Sequence, residues 1–135
     1  MRSVLIVDDV YTVRMKTELI IRNTGSFSVR SVGSGAEALA AVGSNPPDVI
    51  VMDIVMVGMD GIATLQALRA RGITCPIIAY TARRERHPQE FIDLGFDGFI
   101  SKAENIQALV SMLRILLNRK TRQHVTPRER SFGSA

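Results

Sequence analysis

The chain has 135 residues, 46% apolar and 22% charged, with 5% aromatic residues and no Trp, which suits one domain around a single core of Ile, Val, Leu, Met and Ala. No apolar run reaches the ~18 residues of a membrane span, Asp8-Asp9 interrupt Val4–Val7 too early for a secretory signal, and the lone Cys75 closes no internal disulfide, so a reducing cytoplasm is the expected location and no membrane partner is expected. The formal net charge of +4 is uneven: residues 114–135 carry six basic side chains against Glu129, while residues 1–113 hold 11 basic and 12 acidic ones, so the basicity belongs to a C-terminal tail expected to be solvated rather than to a nucleic-acid surface of the globular body.

Short apolar runs alternate with helical patterns along the whole chain. Val4–Val7 reads as a buried strand. Residues 12–23 read as a helix carrying Val13, Leu19, Ile20 and Ile21, and Gly25 stands where a helix stops. Val29–Val32 is a second strand, followed by an Ala-rich helix from Gly35 to Val42 that Gly43-Ser44-Asn45-Pro46-Pro47 closes. Val49–Met52, wholly apolar between Pro47 and Asp53, is the clearest strand. A helix over 62–70 follows, with Ile62, Leu65 and Leu68 on one face and Gly72 beyond its end. Ile77–Tyr80 is a strand behind Pro76, Pro88–Leu94 a short helix closed by Gly95, Phe99-Ile100 a strand, and 106–117 a periodic helix carrying Leu109, Leu113, Leu116 and Leu117.

Five βα units with continuous rather than alternating apolar strands predict a parallel sheet covered by helices on both faces, a doubly wound α/β fold. In such a sheet ligands bind at the carboxyl ends of the strands, near a switch in strand order. Those ends carry Asp8-Asp9 after the first strand, Asp53 after the third, Thr81-Ala82 after the fourth and Lys102 after the fifth. Taken singly, each has an ordinary reading: a helix cap, a turn opener, a strand-end hydroxyl, a surface lysine. Together they converge three carboxylates, a hydroxyl and an ammonium on one sheet edge. Three clustered carboxylates repel unless cations sit among them, and hard oxygen donors suit Mg²⁺. An Asp in that company is a competent nucleophile toward a phosphoryl group, whose transfer depends on positioning and on neutralising charge.

The set Asp8-Asp9, Asp53, Thr81-Ala82 and Lys102, with the stretch from Asp53 to Gly61, resembles the response-regulator receiver domain of two-component signalling over residues 3 to about 118. The resemblance implies a flavodoxin-like (CheY-like) (βα)5 fold with strand order 2-1-3-4-5. It implies phosphorylation at Asp53, with Mg²⁺ held by Asp8, Asp9, Asp53 and the backbone carbonyl of Val55. Thr81, Lys102 and the backbone N–H of Ala82 are implied as partners of the phosphoryl group, and Thr81 with Phe99 as the switch pair. Such a domain is a phosphoacceptor rather than an enzyme in its own right, although it catalyses its own phosphotransfer and slowly dephosphorylates itself. Its implied partners are a sensor histidine kinase or histidine phosphotransfer protein, and a protein or second copy bound at the face of helix four, strand five and helix five.

Ala103 follows Lys102 where the family often has Pro, so a trans bond is expected, since a non-Pro cis bond costs ~3 kcal/mol. Val57 likewise stands where Pro is common. Val55 and Arg83 occupy positions at which the family tunes hydrolysis, and an apolar Val55, unable to orient a water, predicts a long-lived phosphorylated state. Dehalogenase-like phosphatases need a second Asp where Val55 stands, and a flavin carrier's phosphate loop is at odds with Asp8-Asp9. No Gly-rich nucleotide loop is present. The expected division is a receiver over 1–120 and a flexible basic tail over 121–135. Thr126-Pro127-Arg128-Glu129 resembles the opening of a LuxR-type helix-turn-helix. A stand-alone regulator is the reading taken; the alternatives are a receiver fragment of a LuxR/NarL-type transcriptional regulator, in which case DNA is a partner, or a phosphorelay shuttle. His87, His124 and the cluster Arg83-Arg84-Glu85-Arg86 read as solvated surface groups, although the cluster flanks the active edge.

Overall fold

The computed structural model describes residues 1–43, 45–82 and 86–123, the stretch 119–123 as backbone alone. Its elements in chain order are β1 (Arg2–Val7), α1 (Tyr11–Asn23), β2 (Phe27–Val32), α2 (Gly35–Val42), β3 (Val49–Met52), α3 (Gly61–Ala70), β4 (Ile77–Thr81), α4 (Pro88–Leu94), β5 (Gly98–Ser101) and α5 (Gln107–Gln123). The strands form one sheet in the order β2-β1-β3-β4-β5, with every neighbouring pair parallel. The expected (βα)5 architecture and strand order are both observed. The chain runs outward from β1 to β2 and then crosses back to β3, so the switch point lies between β1 and β3.

Alternation along the central strands divides the core into two layers. Leu5, Val7, Ile50, Met52, Ile77 and Ala79 pack with Leu39 of α2, Leu65 and Leu68 of α3 and Phe91 of α4. Val4, Ile6, Val51, Ile78, Tyr80 and Ile100 pack with Ile21 of α1 and Leu109 and Leu113 of α5. Both faces are covered, which is why β1, β3 and β4 read as unbroken apolar runs. Each fully buried Leu or Ile contributes about 2 kcal/mol, so this inner sheet is a rigid base for what stands on its edge.

Helix starts follow local chemistry. The Ser34 hydroxyl accepts from the Glu37 N–H at 3.1 Å and the Asp60 carboxylate from the Ala63 N–H at 2.8 Å. A His87–Glu90 capping box with Pro at the start opens α4, and Gly95 closes it in the left-handed conformation at φ +115°. Helix α1 begins after Val10 with no side-chain cap, so capping is not what Asp8 and Asp9 do. The strands run longer than the sequence-based boundaries: β1 gains Arg2 and Ser3, β2 gains Phe27 and Ser28, β4 gains Thr81 and β5 gains Gly98 and Ser101, while α5 continues to Gln123. Each strand gain comes from a neighbouring strand extending the ladder, as Thr81 does opposite Ser101.

Candidate functional site

The sheet itself holds the acidic residues side by side. Asp8 follows β1 and Asp53 follows β3; the Asp53 N–H donates to the Val7 carbonyl at 2.9 Å, carrying the β1–β3 ladder one residue past the strand end. Two strands away the Lys102 N–H donates to the Thr81 carbonyl at 2.9 Å and does the same for β4 and β5. Four residues far apart in sequence thus rise from one edge at strand spacing.

The side chains of Asp8, Asp53 and Lys102 meet. The Lys102 ammonium donates to Asp8 Oδ2 at 2.7 Å and to Asp53 Oδ2 at 3.2 Å. The second oxygen of each carboxylate accepts from the chain: Val10 N–H donates to Asp8 Oδ1 at 2.9 Å and Ile54 N–H to Asp53 Oδ1 at 2.8 Å. Asp9, half-buried, accepts from Val57 N–H at 2.9 Å, pulling the loop after β3 onto the site. One oxygen from each of Asp8, Asp9 and Asp53 falls within 4.8 Å of the others. Asp8 is 3% exposed and Asp53 7%, so among the described residues three carboxylates face the Lys102 ammonium in a partly dry setting.

Burial pushes the Asp53 carboxyl above its ordinary value; the Lys102 charge works against that rise and the Asp8 charge adds to it. For Lys102, burial disfavours the ammonium, but its hydrogen bond to Asp8 and the two carboxylate charges outweigh the loss and raise it. Lys102 therefore stays charged, and Asp53 keeps a higher basicity than an exposed aspartate.

Of the other residues singled out in the sequence, Thr81 ends β4 beside Lys102's strand and is 1% exposed, and Ala82 follows it at the surface. Val55 lies on the loop after Asp53, its side chain 47% exposed. Phe99 does not join the cluster: its half-buried ring stacks on Phe91 of α4, centroids 4.8 Å apart and planes 10° apart. No peptide bond among the described residues is cis, so Lys102–Ala103 is trans as expected. Arg83, Arg84, Glu85 and His124 lie outside the described residues.

Three contributors have contacts at the site that the sequence does not assign. Arg14 Nη1 donates to the Asp8 carbonyl at 2.9 Å and steadies the turn into α1. Gly61 packs its Cα against the backbone of Asp53 and Ile54; its place after Met59-Asp60 was a usable signal. Tyr80 turns its ring toward the Lys102 ammonium, and an aromatic residue ending the run Ile77-Ile78-Ala79 was the only hint.

The family model for the response regulator receiver domain matches residues 4–114. The chain is 33% identical over 119 residues to the response regulator MprA of Mycolicibacterium vanbaalenii, an alignment covering 87% of this chain and 51% of that protein. It therefore spans about half the length of the curated relatives it matches. The receiver domain of the Francisella response regulator 1452 superposes with a TM-score of 0.82 at 29% identity, covering 89% of this chain and 99% of that one. TrrA of Thermotoga maritima, solved in complex with Mg²⁺-BeF, shares the fold with a TM-score of 0.77 at 23% identity, covering 86% and 99%. With the 2-1-3-4-5 sheet, the acidic cluster at its switch point and the family match all falling on the same residues, this chain belongs to the response regulator receiver domain family.

Proposed function

We propose that the chain accepts a phosphoryl group on Asp53 from a phosphohistidine of a sensor kinase or phosphotransfer protein and passes on the change at its α4–β5–α5 face. The observation that carries this is the Lys102 ammonium shared between Asp8 and Asp53 beside Asp9. An Asp53 oxygen attacks phosphorus, the P–N bond breaks, and its electron pair stays on the imidazole, which takes up a proton. Lys102 offsets charge on the transferring oxygens, and Thr81 with the Ala82 N–H stands next to it on the same edge. Asp53 is consumed once per event, so the chain serves as a phosphoacceptor rather than a turnover enzyme.

The donor set fits Mg²⁺: among the described residues, three hard carboxylates whose oxygens lie within 4.8 Å, with the Lys102 ammonium against them, leave an excess of negative charge. Asp8, Asp9 and Asp53 would hold the ion, together with the Val55 carbonyl. When bound, it supplies Lewis-acid neutralisation of the phosphoryl oxygens. That TrrA was solved with Mg²⁺-BeF is in keeping with this donor set.

Downstream, Phe99 stacked on Phe91 joins β5 to α4. Drawing Thr81 toward the new anion frees space behind it, the Phe99 ring turns inward, and α4 resettles. The receiving partner is a protein or a second copy of this chain docked there, in the cytoplasm. Incubation with a small phosphodonor and Mg²⁺ tests the core of this by intact mass. Wild type gains about 80 Da and Asp53→Ala none; an equal gain on both would overturn it.

A further inference from the structure

Strand β4 is aliphatic up to Ala79 and then carries Tyr80, a nearly buried aromatic on the face covered by α1 and α5. Leu, Ile or Val would satisfy that layer, as they do at Ile6, Val51 and Ile78 beside it. The ring has a second neighbour that an aliphatic side chain would not serve: Lys102 Nζ lies over it, 5.6 Å from the centroid. That is inside the ~6 Å reach over which a cation is drawn to an aromatic face.

Tyr80 and Lys102 also line a cavity of about 560 Å³ between α1 and the connection from β5 to α5, together with Val13, Lys16, Thr17 and Ile106. The Lys102 ammonium thus has the two carboxylates as hydrogen-bonding partners, the π face of Tyr80 as a third neighbour, and open space beside it. The carboxylates direct its N–H bonds. The ring attracts the charge without accepting one of those directed bonds, so it leaves them free to be exchanged for new anionic oxygens.

We propose that Tyr80 is a positioning residue for Lys102: its ring face holds the ammonium at the sheet edge and away from the cavity's water, ready for the incoming phosphoryl oxygens. This rests on the reading that Lys102 pairs with the phosphoryl group. It assigns a role to a residue that belongs to neither the acidic cluster nor the switch.

The test separates ring electrostatics from packing. Phenylalanine and its 4-fluoro, 3,5-difluoro and pentafluoro forms placed at position 80 keep nearly the same shape while draining the ring of negative potential. Calorimetric affinity for Mg²⁺-beryllofluoride, a non-covalent phosphoryl mimic, is measured on the full chain for this series and for Lys102→Met. The expected result is Tyr80→Phe within about twofold of wild type and a stepwise loss across the fluorinated series of about 2- to 5-fold in total. Melting temperatures should stay level, and Lys102→Met should bind least. A flat series alongside a weakened Lys102→Met overturns the role of Tyr80 while leaving the Lys102 reading intact. Unchanged binding in Lys102→Met overturns both.

Discussion

Gly61 is where the fold and the site share a contact with no slack. A methyl carbon added there would stand 2.1 Å from the Asp53 carbonyl oxygen, 2.8 Å from Ile54 Cα and 3.0 Å from the Asp53 carbonyl carbon. Ordinary C···O contacts begin near 3.3 Å, so Gly61→Ala must push α3 and the loop after β3 apart by about 1 Å. All three atoms are backbone, and no side-chain rotation relieves the clash. The Gly61 N–H bond to the Ile54 carbonyl, now 2.8 Å, would stretch beyond the ~3.5 Å at which it ceases to be one. Overpacking costs about 1–3 kcal/mol and a stranded buried amide about 1–3 kcal/mol. Restricting the unfolded chain returns at most about 1 kcal/mol. The net is a loss of about 1–5 kcal/mol, which for a domain of this size lowers the melting temperature by about 4–20 °C. Phosphorylation should fall with it, because the displaced backbone carries the Asp53 carboxylate. Gly43→Ala is the control: its backbone is helical at φ −58° and, among the described residues, the added carbon meets the Ala40 carbonyl at an ordinary 3.5 Å, so stability should hold or rise slightly. Thermal unfolding by circular dichroism measures both. A Gly61→Ala melt within about 2 °C of wild type, with unchanged phosphoryl uptake, would refute the reasoning.

Other expectations follow from the same geometry. Asp9→Asn removes one of the three clustered carboxylates and should weaken Mg²⁺ binding at least about tenfold by calorimetry; undiminished affinity would remove Asp9 from the donor set. Burial raises the Asp53 carboxyl above its ordinary 3.8, so the folded state holds that proton more tightly than the unfolded chain. The stability contributed by the protonated form is present at low pH and lost as pH rises through the raised value. Metal-free Asp53→Asn should therefore melt above wild type at pH 7, and the gap should close as pH falls below the ordinary carboxylate range; a gap independent of pH contradicts the assignment. Val55→Asn gives the half-exposed position beside Asp53 a polar amide able to orient a water, and should shorten the lifetime of the phosphorylated form. A wild type that loses its phosphoryl group faster than this variant would show that the apolar residue does not protect it.

Much of the architecture was legible because it is written in local terms. Val49–Met52 between Pro47 and Asp53 is apolar throughout, as only a strand covered on both faces tends to be, and its limits were read without error. The same holds for α2 and α4, each bounded by a capping side chain and a closing glycine. Thr81 and Ser101 were missed as strand residues because each is polar, and what makes them β is a ladder partner about twenty residues away. The sequence likewise holds no sign that α5 runs on past its apolar stripe to Gln123.

The site divides along the same line. Which residues reach the sheet edge follows from where apolar runs end, so the sequence alone points to Asp8, Asp9, Asp53, Thr81 and Lys102. That the Lys102 ammonium bridges Asp8 and Asp53, 94 and 49 positions away, was decided by the parallel register of β1, β3, β4 and β5. The packing also brought in partners whose contacts the sequence does not specify: the Tyr80 ring near Lys102, the Arg14 guanidinium on the Asp8 carbonyl, and Gly61 against the Asp53 backbone. Strand and helix patterns are fixed by short-range sterics and burial, which a sequence carries residue by residue. Distances of 3 Å between remote groups depend on how whole elements pack, and that is a property of the folded sheet.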